Sequence, residues 1–256
     1  MVRFSMNFDV SGDAYDRFMG RFSKPLATEF VRLAEVQPGQ RVLDVGCGPG
    51  ALTAEVVKRV DPGSVFAIDP APSFVAAVGE RLPQVDLRVG VAEHLPFPDS
   101  WFDSSLAQLV VHFMTDPVAG LREMARVTRP KGWVTACVWD HAGGAGPLST
   151  FWAAVHDVDA SAPDEARLAG AREGHLAQLY EQAGLQQIEP SKLSVTVPFK
   201  SFEDWWEPYT RGVGPAGAYV AGLDSYHLVQ LRDRCRQLLT PPFEIKAAAW
   251  CVRAHP

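Results

Sequence analysis

Three glycines within five residues are the part of this sequence best suited to chemistry. Gly46, Gly48 and Gly50 directly follow the strand-like run 40–45 and precede a stretch with helical spacing. Because glycine has no Cβ atom, it lets the backbone approach a ligand closely, and the first turn of a helix offers N–H groups that no helical partner uses. A tight strand-to-helix turn is the plainer alternative. The density of glycine favours a binding loop.

Carboxylates near this loop indicate which ligand it binds. Gly46, Gly48 and Ala51 also satisfy the relaxed dinucleotide fingerprint, in which alanine replaces the last glycine. Asp69, at the end of the next predicted strand, suits either ligand because a carboxylate there accepts hydrogen bonds from two ribose hydroxyls. Asp44, just before the first glycine, would repel a pyrophosphate and favour a cofactor with positive charge. The sequence therefore favours S-adenosylmethionine over a nicotinamide dinucleotide.

Short apolar runs that alternate with helix-length segments must position these residues. The pattern predicts an α/β fold, because the first five strands are each separated by about one helix length, as in a parallel sheet. Their weak alternation agrees with burial on both faces. The predicted strands are 40–45, 64–68, 85–91, 104–110, 133–139, 193–199 and 245–252. The predicted helices are 24–36, 51–60, 73–82, 117–128, 151–158, 175–182 and 202–209.

We expect one domain, 1–256, in three parts. An N-terminal segment, 1–24, precedes a cofactor-binding core, 25–142, and the rest of the core with its insertions occupies 143–256. Within the last part, 143–174 and 201–242 exceed ordinary crossover lengths. Long insertions at such places usually build a lid or a substrate wall.

Composition narrows the class of protein. With 256 residues and 47% hydrophobic residues, the chain fits a packed domain, and a net charge of −6 argues against a nucleic-acid surface. The four cysteines are far apart, with no Cys/His cluster at zinc spacing. Neither a secretory leader nor a membrane-spanning apolar run is evident. We therefore expect a metal-free cytoplasmic protein that neither binds nucleic acid nor spans a membrane, and its oligomeric state is open.

Three segments, in order along the chain, carry a family resemblance. Residues 42–50 read Val-Leu-Asp-Val-Gly-Cys-Gly-Pro-Gly, residues 92–103 read Ala-Glu-His-Leu-Pro-Phe-Pro-Asp-Ser-Trp-Phe-Asp, and 121–132 read Leu-Arg-Glu-Met-Ala-Arg-Val-Thr-Arg-Pro-Lys-Gly. They resemble the class I methyltransferases, in the branch of the ubiquinone and menaquinone C-methyltransferases. The resemblance covers roughly residues 25–140. It implies a Rossmann-like, seven-stranded, mostly parallel sheet with a reversed final strand and helical lid insertions.

The same resemblance implies the cofactor S-adenosylmethionine, with S-adenosylhomocysteine as product, and assigns residues to it. Val91 departs from the family, which usually has Asp there to accept from the adenine amino group, so another acceptor must replace it or affinity is lower. Lys131 stands where glycine is common, which we expect to alter only the turn. The implied cofactor-binding residues are Asp44, Gly46, Cys47, Gly48 and Gly50 in the loop, Asp69 at the ribose, Pro70 bordering the adenine, Ala92 and Glu93 at the adenine edge, and Gln108 beside the methionine moiety.

Two histidines are candidate general bases. Methyl transfer is an in-line displacement that depends mainly on alignment, and a base is needed only if the acceptor enters protonated. His112 follows the fourth strand and His141 the fifth, at the end of the sheet where ligands bind. For each, packing within its own loop is the plainer alternative.

Aromatic residues near the site suggest how an acceptor is held. The resemblance implies that the N-terminal segment covers the cofactor, with Tyr15 as a contact, and a hydrophobic anchor for the first helix is the plainer alternative. We expect Trp139 either to form a wall of the acceptor site or to be a core residue. Aromatic residues also cluster at Trp205, Trp206 and Tyr209. Such a cluster more often packs inside a protein than forms a pocket for a planar or apolar acceptor.

The predicted function is S-adenosylmethionine-dependent transfer of a methyl group to an O, N or C atom of a small organic acceptor, such as an aromatic or apolar one. An NAD-type oxidoreductase using the same loop, and a non-catalytic S-adenosylmethionine-binding module, remain alternatives. A nucleic-acid methyltransferase is disfavoured, since residues 108–111 read Gln-Leu-Val-Val and not Asn/Asp-Pro-Pro-Tyr.

Overall fold

The structure is a computed structural model that describes residues 17–162 and 164–256. Its centre is a seven-stranded sheet in the order β3-β2-β1-β4-β5-β7-β6. Strands β1 to β5 pair in parallel, and β7 runs antiparallel to both β5 and β6, so the predicted reversed final strand is confirmed. The strands are β1 (Val42–Val45), β2 (Val65–Asp69), β3 (Asp86–Val89), β4 (Phe102–Gln108), β5 (Thr128–Trp139), β6 (Gln186–Phe199) and β7 (Phe243–His255).

Helices fill both faces of this sheet. The start of α4 follows the expected signal, because the carboxylate of Asp116 accepts from the N–H of Ala119 at 3.0 Å and Pro117 opens the helix. The helices are α1 (Gly20–Leu33), α2 (Ala51–Val57), α3 (Pro72–Arg81), α4 (Pro117–Val127), α5 (Ser149–Val158), α6 (His175–Ala183), α7 (Phe202–Trp206), α8 (Gly214–Ala221) and α9 (Ser225–Leu238).

Neighbouring residues of the central strand β1 pack into two different apolar layers, one on each face of the sheet. Val42 packs in the layer that contains Leu26 and Phe30 of α1, whereas Leu43 packs in the layer that contains Leu121 of α4. All four residues of β1 are buried. A strand covered on both faces cannot alternate between apolar and polar residues, which is why its sequence reads as a continuous buried run.

Strand order places the candidate site. Since β1 lies between β2 and β4, the connections after β1 and after β4 leave in opposite directions. The diverging connections open a crevice at the carboxyl ends of the strands, which is where open α/β sheets bind their ligands. The glycine loop follows β1, and His112 follows β4.

The two predicted insertions pack on each other. Phe151 of α5 stacks on Tyr209, which follows α7, with ring centroids 4.5 Å apart, and Arg234 of α9 pairs with Asp157 at 2.7 Å. The predicted helix 202–209 is α7 followed by a 3₁₀ turn, Glu207–Arg211. Helices α8 and α9 were not predicted.

Among the described residues, no helix combines the length and the apolar character needed to cross a bilayer. Within the same residues, no group of three or more His, Cys, Asp or Glu side chains is arranged to hold a metal ion.

Candidate active site

The glycine loop is tied to the neighbouring strand by its backbone. The N–H groups of Gly46 and Cys47 both donate to the carbonyl of Ile68, at 2.7 and 3.1 Å. Gly46 has φ +70°, and a Cβ there would lie 2.5 Å from Cγ2 of Val110. Only glycine satisfies both the backbone conformation and the space at this position.

Gly48 is confined by its conformation but not by its neighbours. Its φ is +51°, and no atom lies within 4 Å of the place where a Cβ would stand. Its N–H donates to Oδ2 of Asp69 at 2.8 Å. Open space above a positive-φ glycine is what close approach of a ligand to the backbone requires.

This loop forms one wall of a cleft that is open to solvent and holds about 750 Å³ of empty space. The lining combines loop backbone, two carboxylates, one amide and apolar side chains. It is made of Ser23, Asp44, Gly46, Cys47, Gly48, Pro49, Ala51, Leu52, Asp69, Pro70, Ala71, Phe74, Gln108, Leu109, Val110 and Phe113.

Asp44 is a buried carboxylate beneath the loop. It is 1% exposed, and its Oδ2 accepts a hydrogen bond from the hydroxyl of Thr53 at 2.6 Å. Burial raises the pKa of Asp44 to about 7, with Thr53 opposing and the charge of Asp69 adding to the rise. A positive group bound beside Asp44 would relieve this cost of burying its charge.

Asp69, at the end of β2, keeps acceptor capacity toward the cleft. Its two oxygens accept from the N–H groups of Gly48 and Ala71, at 2.8 and 2.9 Å. Burial raises the pKa of Asp69 while these two bonds lower it. A carboxylate has about four lone-pair positions, so two remain for ligand hydroxyls.

Gln108 ends β4 with its amide in the cleft wall. Its Nε2 donates to the carbonyl of Ser23 at 3.0 Å, which fixes the orientation of the amide. Its Oε1 and the hydroxyl of Ser23 are buried and have no hydrogen-bond partner among the described residues. Buried polar atoms without partners are costly unless a ligand or water satisfies them. Ser23 was not predicted, because it lies within an otherwise apolar helix face.

Three of the predicted cofactor residues do not line the cleft. Gly50 has φ +85°, and a Cβ there would meet Val78 at 2.8 Å. Ala92 is buried in the core layer under α4. The carboxylate of Glu93 accepts from the N–H of Thr115 at 2.7 Å. Their predicted contacts with a cofactor stay predictions.

A second cavity, which we call the chamber, adjoins the cleft and holds about 490 Å³ of empty space. Leu109 and Phe113 line both spaces, so they form a shared wall. Leu109 has φ +63°, a strained conformation for a residue with a Cβ, and such strain is often found at functional sites. The chamber is lined by Phe18, Met19, Leu109, His112, Phe113, Trp139, His141, Leu148, Glu165, Val213, Gly214, Pro215 and Ala216.

Both predicted histidines line this chamber, with ring centroids 6.0 Å apart. Nδ1 of His112 and Nε2 of His141 are buried without a partner among the described residues. Burial lowers the pKa of His112 well below its usual value, and His141 lowers it further. Burial also lowers the pKa of His141, against the opposing charges of Glu165 and Asp140. Both rings are therefore neutral at pH 7 and able to accept a proton.

The predicted aromatic residues divide between chamber and core. Trp139 is 2% exposed, as expected of a core residue, and it also lines the chamber, where its role as an acceptor wall stays a prediction. Trp205, Trp206 and Tyr209 line neither space and pack together inside the insertions, with Trp205 and Tyr209 centroids 4.8 Å apart. Packing is thus the correct interpretation of that cluster. Tyr15 lies outside the described residues.

Comparison with known proteins identifies the family. Residues 43–136 match the family described as "Methyltransferase domain". The ubiquinone/menaquinone biosynthesis C-methyltransferase UbiE of Cupriavidus metallidurans is 30% identical over 213 residues, which span 74% of this chain and 84% of that protein. The chain belongs to the class I S-adenosylmethionine-dependent methyltransferases. It lies in their UbiE-like branch, as the sequence motifs indicated.

Two further comparisons show how much of the chain and of its fold is similar to other proteins. An uncharacterized methyltransferase of Schizosaccharomyces pombe is 32% identical over 146 residues, and the match spans about half of each chain, 50% of this one and 52% of that one. The crystal structure of the YcgJ protein from Bacillus subtilis superposes with a TM-score of 0.55 at 18% identity, covering 91% of this chain and 97% of that one. At that identity the likeness concerns the fold alone.

Proposed function

We propose that this methyltransferase binds S-adenosylmethionine in the cleft and transfers its methyl group to an O, N or C atom of a small organic acceptor held in the chamber. One observation carries the proposal. The cleft and the chamber meet at the wall formed by Leu109 and Phe113, at the carboxyl end of the sheet. A donor and an acceptor that occupy adjoining spaces can be aligned for an in-line displacement.

The cleft residues fit S-adenosylmethionine. The buried carboxylate of Asp44 suits the cationic methionine end, and Asp69 retains acceptor positions for the ribose hydroxyls. The unpartnered Oε1 of Gln108 offers a further acceptor to an ammonium group. A dinucleotide fits less well, since its pyrophosphate would lie near the carboxylate of Asp44.

The residues of this chain contribute positioning more than bond-making. When bound, S-adenosylmethionine supplies an electrophilic methyl carbon attached to a positively charged sulfur. Gly48 leaves room for the backbone to approach the ligand, and Asp69 orients its ribose. Leu109 and Phe113 border both spaces, so the donor and the acceptor would meet beside these two side chains.

His112 and His141 suit the role of proton acceptor for an acceptor molecule that enters protonated. Both are neutral at pH 7 because burial lowers their pKa values. A buried imidazole with a lowered pKa is a weaker base but is available over a wider pH range. His112 lies in the 3₁₀ turn Val111–Phe113 that follows β4, next to Phe113 of the shared wall.

Two measurements test this function on the full chain. Calorimetry should detect S-adenosylhomocysteine binding and no NAD binding, and mass analysis should find any nucleoside ligand that is retained through purification. An acceptor screen that follows S-adenosylhomocysteine production should then find a substrate. NAD binding without S-adenosylhomocysteine binding would reject the proposal, whereas S-adenosylhomocysteine binding with no turnover across a broad screen would favour a non-catalytic module.

A further inference from the structure

Glu165 places a carboxylate in the wall of the chamber. It lies in the irregular segment after α5, is 4% exposed, and lines the chamber together with His112 and His141. Its Oε2 accepts a hydrogen bond from the indole N–H of Trp152 at 2.8 Å. This bond orients the carboxylate without neutralising it, because the indole is an uncharged donor.

The chamber has no positive charge to balance Glu165 among its described lining residues. His112 and His141 are the other titratable side chains there, and burial keeps both neutral at pH 7. The remaining lining is aromatic, aliphatic or backbone. The chamber is therefore an apolar space with one carboxylate and two imidazoles on its walls.

A molecule that fills this space would lie against a carboxylate whose described side-chain donor is the uncharged indole of Trp152. A buried carboxylate without an opposite charge beside it is unfavourable, and a second anion there would add repulsion. A cationic N–H donor supplies both a hydrogen bond and the opposite charge, which makes it the strongest available partner. A neutral hydroxyl supplies the hydrogen bond alone.

We propose that Glu165 anchors a positively charged nitrogen of the methyl acceptor, so that the acceptor is an amine carried on an apolar or aromatic body. The body would pack against Met19, Trp139 and Leu148 while the nitrogen lies at the carboxylate. This inference rests on the proposed function of the chamber as the acceptor site. It makes Glu165 a determinant of specificity, distinct from the candidate bases.

Equilibrium binding of matched probes tests the anchor without any need for turnover. The probes are benzylamine, phenethylamine and tryptamine, each compared with the alcohol and the carboxylic acid of the same ring system, and methylhydroquinone is added as an uncharged diol. Binding to the full chain is measured by ligand-observed NMR, with and without saturating S-adenosylhomocysteine. We expect at least one amine to bind roughly tenfold or more tightly than its alcohol, and the acids to bind least.

Two variants identify the residue responsible. Glu165→Gln keeps an oxygen for the Trp152 indole but removes the charge, so it should reduce the amine preference to less than about twofold. Trp152→Phe removes the indole donor but keeps the carboxylate, so the preference should persist. Both variants should bind S-adenosylhomocysteine as the unmodified protein does, because neither side chain lines the cleft.

Several outcomes would overturn the inference. These are equal binding of amines and alcohols, tighter binding of methylhydroquinone, an amine preference that survives Glu165→Gln, or no amine binding up to about 10 mM. Failure of the unmodified protein to bind S-adenosylhomocysteine is a separate result. It would reject the function proposed for the cleft, while amine binding measured without S-adenosylhomocysteine would still decide the role of Glu165.

Discussion

The hydroxyl of Thr53 donates a hydrogen bond to Oδ2 of Asp44, with 2.6 Å between the two oxygens. Thr53 lies on α2 and Asp44 on β1, so the bond joins the two elements that flank the glycine loop. It orients the carboxylate but leaves it buried, and burial raises the pKa of Asp44 to about 7. Asp44 is therefore expected to titrate near neutral pH.

Cofactor binding should weaken as the pH falls below 7. The ammonium of the methionine moiety stays protonated below about pH 7.7, so over this range the titration of Asp44 dominates. Since a cation favours the ionised carboxylate, binding must release the proton that Asp44 holds. We expect the affinity for S-adenosylhomocysteine to fall roughly tenfold between pH 7 and about 5.5. Calorimetry in buffers of different ionisation enthalpy measures this proton release.

Asp44→Asn is the matched variant for that experiment. It should bind S-adenosylhomocysteine weakly at every pH and release no proton on binding. An affinity of the unmodified protein that stays constant across this pH range would show that Asp44 does not contact the cationic end of the ligand.

The same substitution should stabilise the protein when no ligand is bound. The pKa of Asp44 rises from 3.8 to about 7 on folding, so folding takes up a proton between these values. The free energy of unfolding therefore falls as the pH rises through that window. At pH 8 we expect ligand-free Asp44→Asn to be more stable by about 1–4 kcal/mol, measured by urea unfolding. Asp233→Asn, at an exposed position on α9, should show no such gain.

The sheet and the glycine loop could be predicted because their signals are local. Each parallel strand is buried on both faces and therefore reads as an apolar run, and Gly46 and Gly48 mark the turn that β1 must make. Lys131 shows how a departure from the family is accommodated, since it adopts φ +66°, a conformation in which glycine is usual.

The second half of the chain gave weaker signals for physical reasons. Only the last part of β6 was predicted, because β6 is an edge strand and buries only Val195, Val197 and Phe199. Helix α9 was missed because it is mostly polar and buries only Leu231 and Cys235. Asp224, which accepts from the N–H of His227 at 2.9 Å, is a capping signal that could have revealed its start.

Glu165 was not predicted because its role depends on packing between distant parts of the chain. It lies in an irregular segment without periodicity, and its neighbours His112 and Trp139 come from other loops and strands. A single acidic residue in such a segment is usually on the surface. Glu165 lines the chamber only because the folded chain brings these distant segments together.

His112 should remain neutral at the acidic end of a pH range where an ordinary histidine becomes partly charged. Burial lowers its pKa well below the usual value, and the nearby His141 disfavours a second charge. The imidazole ¹⁵N shifts of the native protein, assigned by comparison with His112→Gln, should stay those of the neutral ring between about pH 6 and 8. In denaturant the same residue should titrate near about 6.5. A native-state midpoint near that value would contradict the buried, neutral ring.

Gly48→Ala and Gly39→Ala form a matched pair that separates strain from ligand binding. Both glycines have positive φ, +51° and +84°, and neither has an atom within 4 Å of the Cβ position. Each substitution should therefore cost about 1 kcal/mol of stability through backbone strain alone. Gly48 lines the cleft, whereas Gly39 is exposed in the turn that precedes β1, at the other end of that strand. We expect Gly48→Ala to weaken S-adenosylhomocysteine binding at least about tenfold by occupying ligand space, and Gly39→Ala to leave it unchanged. Equal affinities of the two variants, at equal loss of stability, would mean that the ligand does not approach the backbone at Gly48.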